Sequence, residues 1–282
     1  MKNPALRKHD AKARLAALVS KIISARLLRC PPRWILLRIE CEDGIIGWGE
    51  AIGDLHPEVE AGIENVESRI FGLDSNNTSA IVERLVKGRF WRDGPVLNTI
   101  SSAVEMALWD IKGKRLGVPV WQLLGGKVRD KVLIYRNLWG SNPEEFANSA
   151  KAAIAEGLIA MKVSPALATP AVPSDADLEN IVAIVAAVRA AVGPSIKVAI
   201  DLHGRLSPTA ARRLMPKLEQ YDPWFIEEPC LPDDSTAIRL IETHLPLATG
   251  ERLLTMTQFK QHLDPPCIDI IQPDLSLVGG IS

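Results

Sequence analysis

The stretch Ile196–Pro229, IKVAIDLHGRLSPTAARRLMPKLEQYDPWFIEEP, decides the fold. It begins with a short apolar run that ends at Asp201 and closes on a second apolar run that ends at Glu227. Between them, apolar residues recur at threes and fours, which is typical of an amphipathic helix. Apolar runs without alternation are typical of strands buried on both faces. The stretch therefore predicts two parallel strands joined by a helix outside the sheet.

The same alternation of strand and helix continues along the chain after Gly125-Gly126. Short apolar runs predict strands at Lys131–Tyr135, Ile159–Val163, Ile196–Asp201, Trp224–Glu227, Leu247–Glu251 and Ile268–Ile271. Successive units of this kind favour a (β/α) barrel over a doubly wound sheet, because no GxGxxG phosphate loop follows the first strand. A complete barrel has eight units in about 250 residues. We therefore expect an incomplete barrel, with about six of the eight units.

The region before the barrel carries a different pattern. RWILLRIECEDGIIGWGEAI (Arg33–Ile52) alternates apolar and polar residues around an acidic turn with glycine, which predicts a β-hairpin. Helical patterns follow, and the last of them ends at Gly117, a plausible C-cap. We predict a disordered leader over 1–20, an α+β domain over 21–125 and a partial (β/α) barrel over 126–282.

Composition narrows the class of partner. The 33 basic residues nearly balance the 34 acidic ones, so the charge does not indicate a nucleic-acid or membrane partner. No run approaches the ~18 apolar residues of a membrane span, and the basic N-terminal segment has no apolar stretch of signal-peptide length. The four cysteines are scattered, without a CxxC pair, as in a reduced protein. We expect a cytoplasmic protein that acts on a small molecule.

Three successive predicted strands end in carboxylates, at Asp201, at Glu227 and Glu228, and at Glu251. The carboxyl ends of barrel strands face the active site. A single acidic residue there would more simply cap the next helix, but a cluster is costly to bury without a cation. Only one of the adjacent glutamates can be a ligand, because neighbours in a strand face opposite ways. Three converging oxygen donors suit Mg²⁺.

Ordered segments of the chain resemble signatures of the enolase superfamily, in its mandelate racemase/muconate lactonizing group. They are AVEMALWDIKGKRLGVPVWQLLGG (Ala103–Gly126), AIDLHGR (Ala199–Arg205), FIEEP (Phe225–Pro229), ATGER (Ala248–Arg252) and IIQPDLSLVGGI (Ile270–Ile281). Within that group, CPPRWILLRIECEDGIIGWGE and DLHGR resemble most the galactonate dehydratase type of acid-sugar dehydratase. The resemblance implies an enolase-type barrel with an N-terminal capping domain. In such proteins the capping loops, here around Pro31–Trp34 and Ala51–Pro57, choose the substrate.

The resemblance also implies roles for individual residues. Asp201, Glu227 and Glu251 would bind Mg²⁺, which holds the substrate carboxylate and stabilises the enediolate formed when the neighbouring proton leaves. Alternation in a strand sends Asp201 and His203 to the same face, and the resemblance makes His203 the general acid on the departing hydroxyl. Lys162 and Arg205 would hold or polarise the substrate.

Two positions decide between reactions. Racemases of the group carry Lys-x-Lys on the second strand, with the second lysine as a base, and this chain has Ser164 there, which favours elimination. Asp274 matches the aspartate that orients a histidine base on the next strand, and no histidine follows Asp274 in these 282 residues. His56, in a capping loop, could face substrate, although a surface position is the simpler expectation.

We therefore expect a hydro-lyase of carbohydrate catabolism that converts a galactonate-like aldonate to its 2-keto-3-deoxy acid, with Mg²⁺ as cofactor. Because the base is missing, we expect the 282 residues alone to give no product. The alternatives are a racemase or epimerase of the same superfamily and a non-catalytic truncated remnant. Family members often assemble as homo-oligomers, which would make a second copy of the chain a further partner.

Overall fold

The computed structural model describes residues 19–88, 90–233 and 235–282. Nearly all of the predicted leader therefore lies outside the described residues. The described chain forms two compact units: one runs to Val128 and takes in Pro273–Ser282, and the other is Arg129–Gln272. The domain boundaries drawn from the sequence, at 20 and 125, stay a prediction.

The first unit contains a three-stranded antiparallel sheet in the order β1-β2-β3. Its strands are β1 (Ile22–Cys30), β2 (Trp34–Cys41) and β3 (Ile46–Ala51). β2 and β3 form the predicted hairpin, and Gly44 in its turn has φ +79°, a backbone conformation that glycine adopts without strain. β1 was not predicted as a separate strand. It pairs with β2 along nearly its whole length.

Helices follow the sheet in the first unit: α1 (His56–Ile70), α2 (Thr78–Lys87), α3 (Pro95–Leu116) and the short α4 (Val120–Leu123). α3 ends where the sequence predicts, because Gly117 takes the left-handed conformation (φ +68°) and its N–H bonds back to the last turn. A single 3₁₀ turn, Gly53–Leu55, precedes α1. Buried side chains of β2 and α3, among them Leu37, Ile39 and Leu108, form the core of this unit.

Two glycines of β3, Gly47 and Gly49, lie directly against the backbone of α3. A Cβ atom on Gly47 would lie 2.1 Å from the carbonyl oxygen of Ala107, and one on Gly49 would lie 1.9 Å from that of Ala103. Both distances are much shorter than a van der Waals contact. The strand and the helix can therefore pack at this separation only while both positions lack a side chain.

Gly49→Ala is expected to lower the free energy of unfolding by about 1–3 kcal/mol, because the added methyl group forces β3 away from α3. The neighbouring exposed residue Glu50 is the matched control, and Glu50→Ala is expected to change the free energy by less than about 0.5 kcal/mol. Urea unfolding curves of the two variants check the prediction. Equal midpoints would contradict it.

The second unit is a parallel sheet with helices between its strands. Its described strands are β4 (Arg136–Asn137), β5 (Ala160–Val163), β6 (Lys197–Asp201), β7 (Ile226–Glu227), β8 (Leu247–Thr249) and β9 (Ile270–Ile271). The helices are α5 (Pro143–Ala155), α6 (Asp175–Val192), α7 (Pro208–Leu218), α8 (Ser235–Arg239) and α9 (Met256–Leu263), with a 3₁₀ turn at Glu219–Tyr221. The strands pair in chain order from β4 to β9, all parallel. This confirms the predicted fold class, six units of a (β/α) barrel after an α+β domain.

The position of the first barrel strand was predicted wrongly. Residues Lys131–Tyr135 form no strand, and pairing with β5 begins only at Arg136, opposite Met161. The apolar side chains Val132 and Ile134 are 71% and 66% exposed. Their apolar character indicated a buried strand, but no neighbouring backbone among the described residues pairs with them. β8 is also shorter than predicted and ends before Glu251.

The two faces of the barrel sheet have different neighbours. Alternate residues of the strands, such as Met161, Ile200 and Ile226, pack with the helices in the larger apolar core. The opposite face carries Ala199, Phe225 and Ala248 in a small separate cluster. This opposite face is called the inner face below. Among the described residues, no helix is both long and apolar enough to cross a bilayer.

Candidate active site

Three charged side chains meet on the inner face of the sheet. Because side chains alternate along a strand, Lys162, Asp201 and Glu227 share the face of Ala199 and Phe225. Asp201 and Glu227 are also direct partners in the β6–β7 register. The Nζ atom of Lys162 lies 2.7 Å from Glu227 Oε2 and 2.9 Å from Asp201 Oδ2. The ammonium group thus bridges the two carboxylates predicted to be metal ligands.

This cluster is almost completely buried. Asp201, Glu227 and Lys162 are 1%, 2% and 8% exposed. Burial by itself lowers the pKa of Lys162, but the hydrogen bond to Glu227 and the charges of both carboxylates outweigh it and raise that pKa well above its usual value. Burial works to raise the pKa of Asp201, whereas His203 and Lys162 together bring that pKa below its ordinary value. These shifts favour the charged form of both groups.

His203 lies just beyond β6 and contacts the same aspartate. Its Nδ1 is 3.1 Å from Asp201 Oδ1, and its backbone N–H donates to that oxygen at 2.9 Å. The backbone is left-handed here (φ +53°), a conformation in which histidine is enriched. The adjacent carboxylate of Asp201 raises the pKa of His203 against the opposing effect of burial. The imidazole is thereby stabilised in its protonated form beside Asp201.

The third predicted ligand, Glu251, has a different partner. Its Oε1 lies 2.9 Å from Nη1 of Arg252, and the same guanidinium forms an ion pair with the fully buried Glu228. Glu228 follows β7 with φ +42°, a strained conformation for a residue with a side chain. Burial raises the pKa of Glu251, and the negative charges of Glu227 and Asp201 raise that pKa further. Glu251 therefore lies within the field of the other two carboxylates.

The donors suit a hard divalent cation in kind, since all three are carboxylates. Burial is the largest cause of the raised pKa of Glu251, and the negative charges of Glu227 and Asp201 add to it; a divalent cation bound beside these carboxylates would offset the effect of those charges. However, no group of three or more His, Cys, Asp or Glu side chains within residues 19–88, 90–233 and 235–282 is arranged to hold a metal ion. The structure brings Asp201 and Glu227 together around Lys162 and leaves Glu251 with Arg252. Convergence of all three on one cation stays a prediction.

The remaining predicted residues lie as follows. Arg205 is exposed in the loop after β6, and Ser164 is half-buried directly after β5. Asp274 belongs to the first unit, where its Oδ1 accepts a hydrogen bond from the N–H of Ser276 at 2.8 Å. In the same unit, Arg33, Trp34, Gly53 and His56 line one cleft of about 220 Å³. The two loops expected to choose the substrate therefore share a cleft.

The sequence analysis missed two residues near the charged cluster, Tyr135 and Arg252. The Lys162 ammonium lies 5.7 Å from the ring centroid of Tyr135, which packs edge-on against Trp224 and Phe225. Burial raises the pKa of the Tyr135 hydroxyl, and Lys162 opposes this effect. Arg252 was quoted only as part of a motif. The sequence did indicate Arg252 in one way, because Arg252 directly follows Glu251, a predicted ligand at the end of a predicted strand.

Comparison with known proteins supports the sequence resemblance. Residues 25–125 match the model of the mandelate racemase/muconate lactonizing enzyme N-terminal domain, and residues 145–282 match the enolase C-terminal domain-like model. The D-galactonate dehydratases of Pectobacterium atrosepticum and Ralstonia nicotianae are each 39% identical over 265 residues, which covers 93% of this chain and 69% of each relative. The chain belongs to the mandelate racemase/muconate lactonizing group of the enolase superfamily.

Solved structures of the enolase superfamily agree with this assignment. A member from Salmonella Typhimurium superimposes with a TM-score of 0.87 at 28% identity, over 93% of this chain and 75% of that one. A mandelate racemase/muconate lactonizing enzyme from Jannaschia sp. CCS1 gives 0.82 at 32% identity, with the same coverage. The enolase-type fold predicted from the motifs is confirmed. The resemblance to the D-galactonate dehydratases supports assignment of this chain to the hydro-lyases.

Proposed function

We propose that this chain provides a Mg²⁺-dependent site for dehydration of an acid sugar, a galactonate-like aldonate that becomes its 2-keto-3-deoxy acid. The observation that carries the proposal is the buried cluster on the inner face, in which Asp201 contacts both Lys162 and His203. The names of the two D-galactonate dehydratases support the substrate class. We place this small-molecule activity in the cytoplasm.

Asp201, Glu227 and Glu251 would hold the ion. When bound, Mg²⁺ would supply positive charge that stabilises the anion formed as the proton next to the substrate carboxylate leaves. Lys162 would turn from the carboxylates to the substrate anion, and the exposed Arg205 would bind its oxygens. Both side chains keep their positive charge throughout this scheme, because neither has to gain or lose a proton.

His203 would act on the leaving group. Its Nδ1 faces Asp201, so Nε2 is the atom that would donate a proton to the departing hydroxyl, which leaves as water. Asp201 would keep the imidazole oriented during this transfer. Asp274 would orient a histidine that removes the proton next to the carboxylate, and these 282 residues contain no histidine after it. Ser164 in place of a second lysine base favours elimination over racemisation.

Titration calorimetry with MgCl₂ tests the metal site directly. Asp201→Asn is expected to weaken Mg²⁺ binding by more than about 100-fold, because loss of a ligand exceeds the 10–100-fold cost of losing an outer partner. Asp269→Asn is the matched control, since Asp269 is an exposed carboxylate before β9 whose Oδ2 accepts the N–H of Leu247 at 2.9 Å. The control should bind Mg²⁺ like the unaltered protein. Undiminished binding by Asp201→Asn would contradict the assignment.

A further inference from the structure

Glu105 of α3 is a buried carboxylate that the proposed reaction does not use. It is 0% exposed and accepts hydrogen bonds on both oxygens. The N–H of Ile281 donates to Oε2 at 2.8 Å, and the N–H of Ser282 donates to Oε1 at 2.9 Å. The indole N–H of Trp109 donates to Oε1 at 2.7 Å, and the Ser282 hydroxyl donates to it as well. Most of these donors belong to one distant segment, Gly279–Ser282.

The backbone of Gly279–Ser282 has the conformation that it needs to reach Glu105. Gly279 and Gly280 have φ +97° and +93°, where a side chain would be strained. A Cβ atom on Gly280 would lie 2.2 Å from Oε2 of Glu105. The N–H of Gly279 donates to the hydroxyl of Ser102, one turn before Glu105 on α3, at 2.9 Å. The two glycines therefore let the backbone reach the helix.

A turn that begins at Asp274 leads directly into Gly279–Ser282. The carbonyl of Asp274 accepts hydrogen bonds from the N–H groups of Leu277 at 2.9 Å and Val278 at 3.0 Å. Its carboxylate accepts the N–H and the hydroxyl of Ser276. The side chain of Leu277, within the same turn, is buried. Asp274 therefore lies in a closed turn that leads directly into the residues held by Ser102 and Glu105.

We propose that Glu105 is a positioning residue that fixes the orientation of Asp274 through the segment Asp274–Ser282. The proposal rests on the proposed function, which gives Asp274 its task. A buried carboxylate is costly unless its oxygens accept hydrogen bonds. Release of the segment would remove most of the donors to Glu105. The hydrogen bonds between α3 and the segment therefore stabilise both the buried carboxylate and the docked position of the segment. Glu105 acts only through the backbone that it holds.

Amide NMR signals of the 282-residue protein test this role, with Glu105→Gln as the first variant. Glutamine keeps the shape but turns an N–H₂ group toward donors, so it should release the segment. The signals of Asp274 and Ser276 are expected to shift, and their amides to exchange with solvent at least tenfold faster. Gly280→Ala leaves Glu105 intact and should give the same result through steric conflict.

Glu67→Gln is the matched control. Glu67 is a carboxylate of the first unit whose Oε1 accepts the N–H of Ala25 at 3.2 Å, so the same substitution disturbs another backbone contact. It should leave the signals of Asp274 and Ser276 unchanged. If Glu105→Gln and Gly280→Ala lower the melting temperature while those two signals keep their positions and exchange rates, Glu105 is merely structural and the proposal fails. The measurement needs neither Mg²⁺ nor turnover, so its outcome is independent of the calorimetric test at Asp201.

Discussion

Lys162→Met is expected to lower the free energy of unfolding of the metal-free protein by about 3–5 kcal/mol, the usual cost of removing one partner from a buried ion pair. The Lys162 ammonium contacts both Asp201 and Glu227, which are almost fully buried. Methionine fills similar space but leaves two negative charges side by side without a cation. The variant should therefore be much less stable in the presence of a chelator.

Mg²⁺ should restore most of that stability. An ion bound by Asp201, Glu227 and Glu251 would replace the lost positive charge, and binding to the folded state alone stabilises it by mass action. Urea unfolding with EDTA and with saturating MgCl₂ measures both values. Lys197→Met is the control, because Lys197 is an exposed lysine of the same sheet, 5.1 Å from the ring centroid of Trp224. It should cost about 1 kcal/mol or less in either buffer. A loss for Lys162→Met that is equal with and without Mg²⁺ would contradict the expectation.

The 282-residue protein is expected to bind Mg²⁺ and yet to convert no galactonate to the 2-keto-3-deoxy acid. In the proposed function His203 protonates the departing hydroxyl, but these 282 residues contain no histidine after Asp274 to remove the proton next to the carboxylate. Without that step the barrier to forming the anion stays high. Proton NMR of a mixture with galactonate and MgCl₂ would follow both the product and exchange of that proton in D₂O.

The D-galactonate dehydratase of Pectobacterium atrosepticum serves as the positive control in this assay. Product formed by the 282-residue protein would show that another of its groups acts as the base. Absence of both turnover and Mg²⁺ binding would instead favour the non-catalytic remnant. Mg²⁺ binding without turnover would agree with a metal site formed by Asp201, Glu227 and Glu251 and with the lack of a histidine after Asp274 in these 282 residues.

Much of the fold follows from local patterns in the sequence. The Gly44 hairpin, the end of α3 at Gly117 and five of the barrel strands depend on turn chemistry and on apolar runs of a few residues. The alternation of side chains places only one of Glu227 and Glu228 on the face of the sheet that carries Asp201, and the resemblance to the superfamily singles out Glu227. These features needed no knowledge of contacts between distant residues.

Other features depended on distance relations that no local pattern contains. The exposed run Lys131–Tyr135 has the composition of a buried strand, and only the neighbour with which it would pair decides the outcome. The Lys162 bridge required the relative position of three strand ends. Glu105 meets Ile281 across 176 positions of the chain, so a helix residue in an apolar pattern gave no signal of its partner.

The glycine contact between β3 and α3 also affects how mutational scans of this protein should be interpreted. A survey of every substitution would score Gly47 and Gly49 as intolerant, alongside Asp201 and Glu227. The first pair would fail because the fold is less stable, and the second, under the proposed function, because the site would no longer hold its cation. Scores based on cell growth alone do not distinguish the two glycines from the two carboxylates. Measuring the amount of soluble protein for each variant would separate them, and it would keep two positions without side chains from being mistaken for part of the active site.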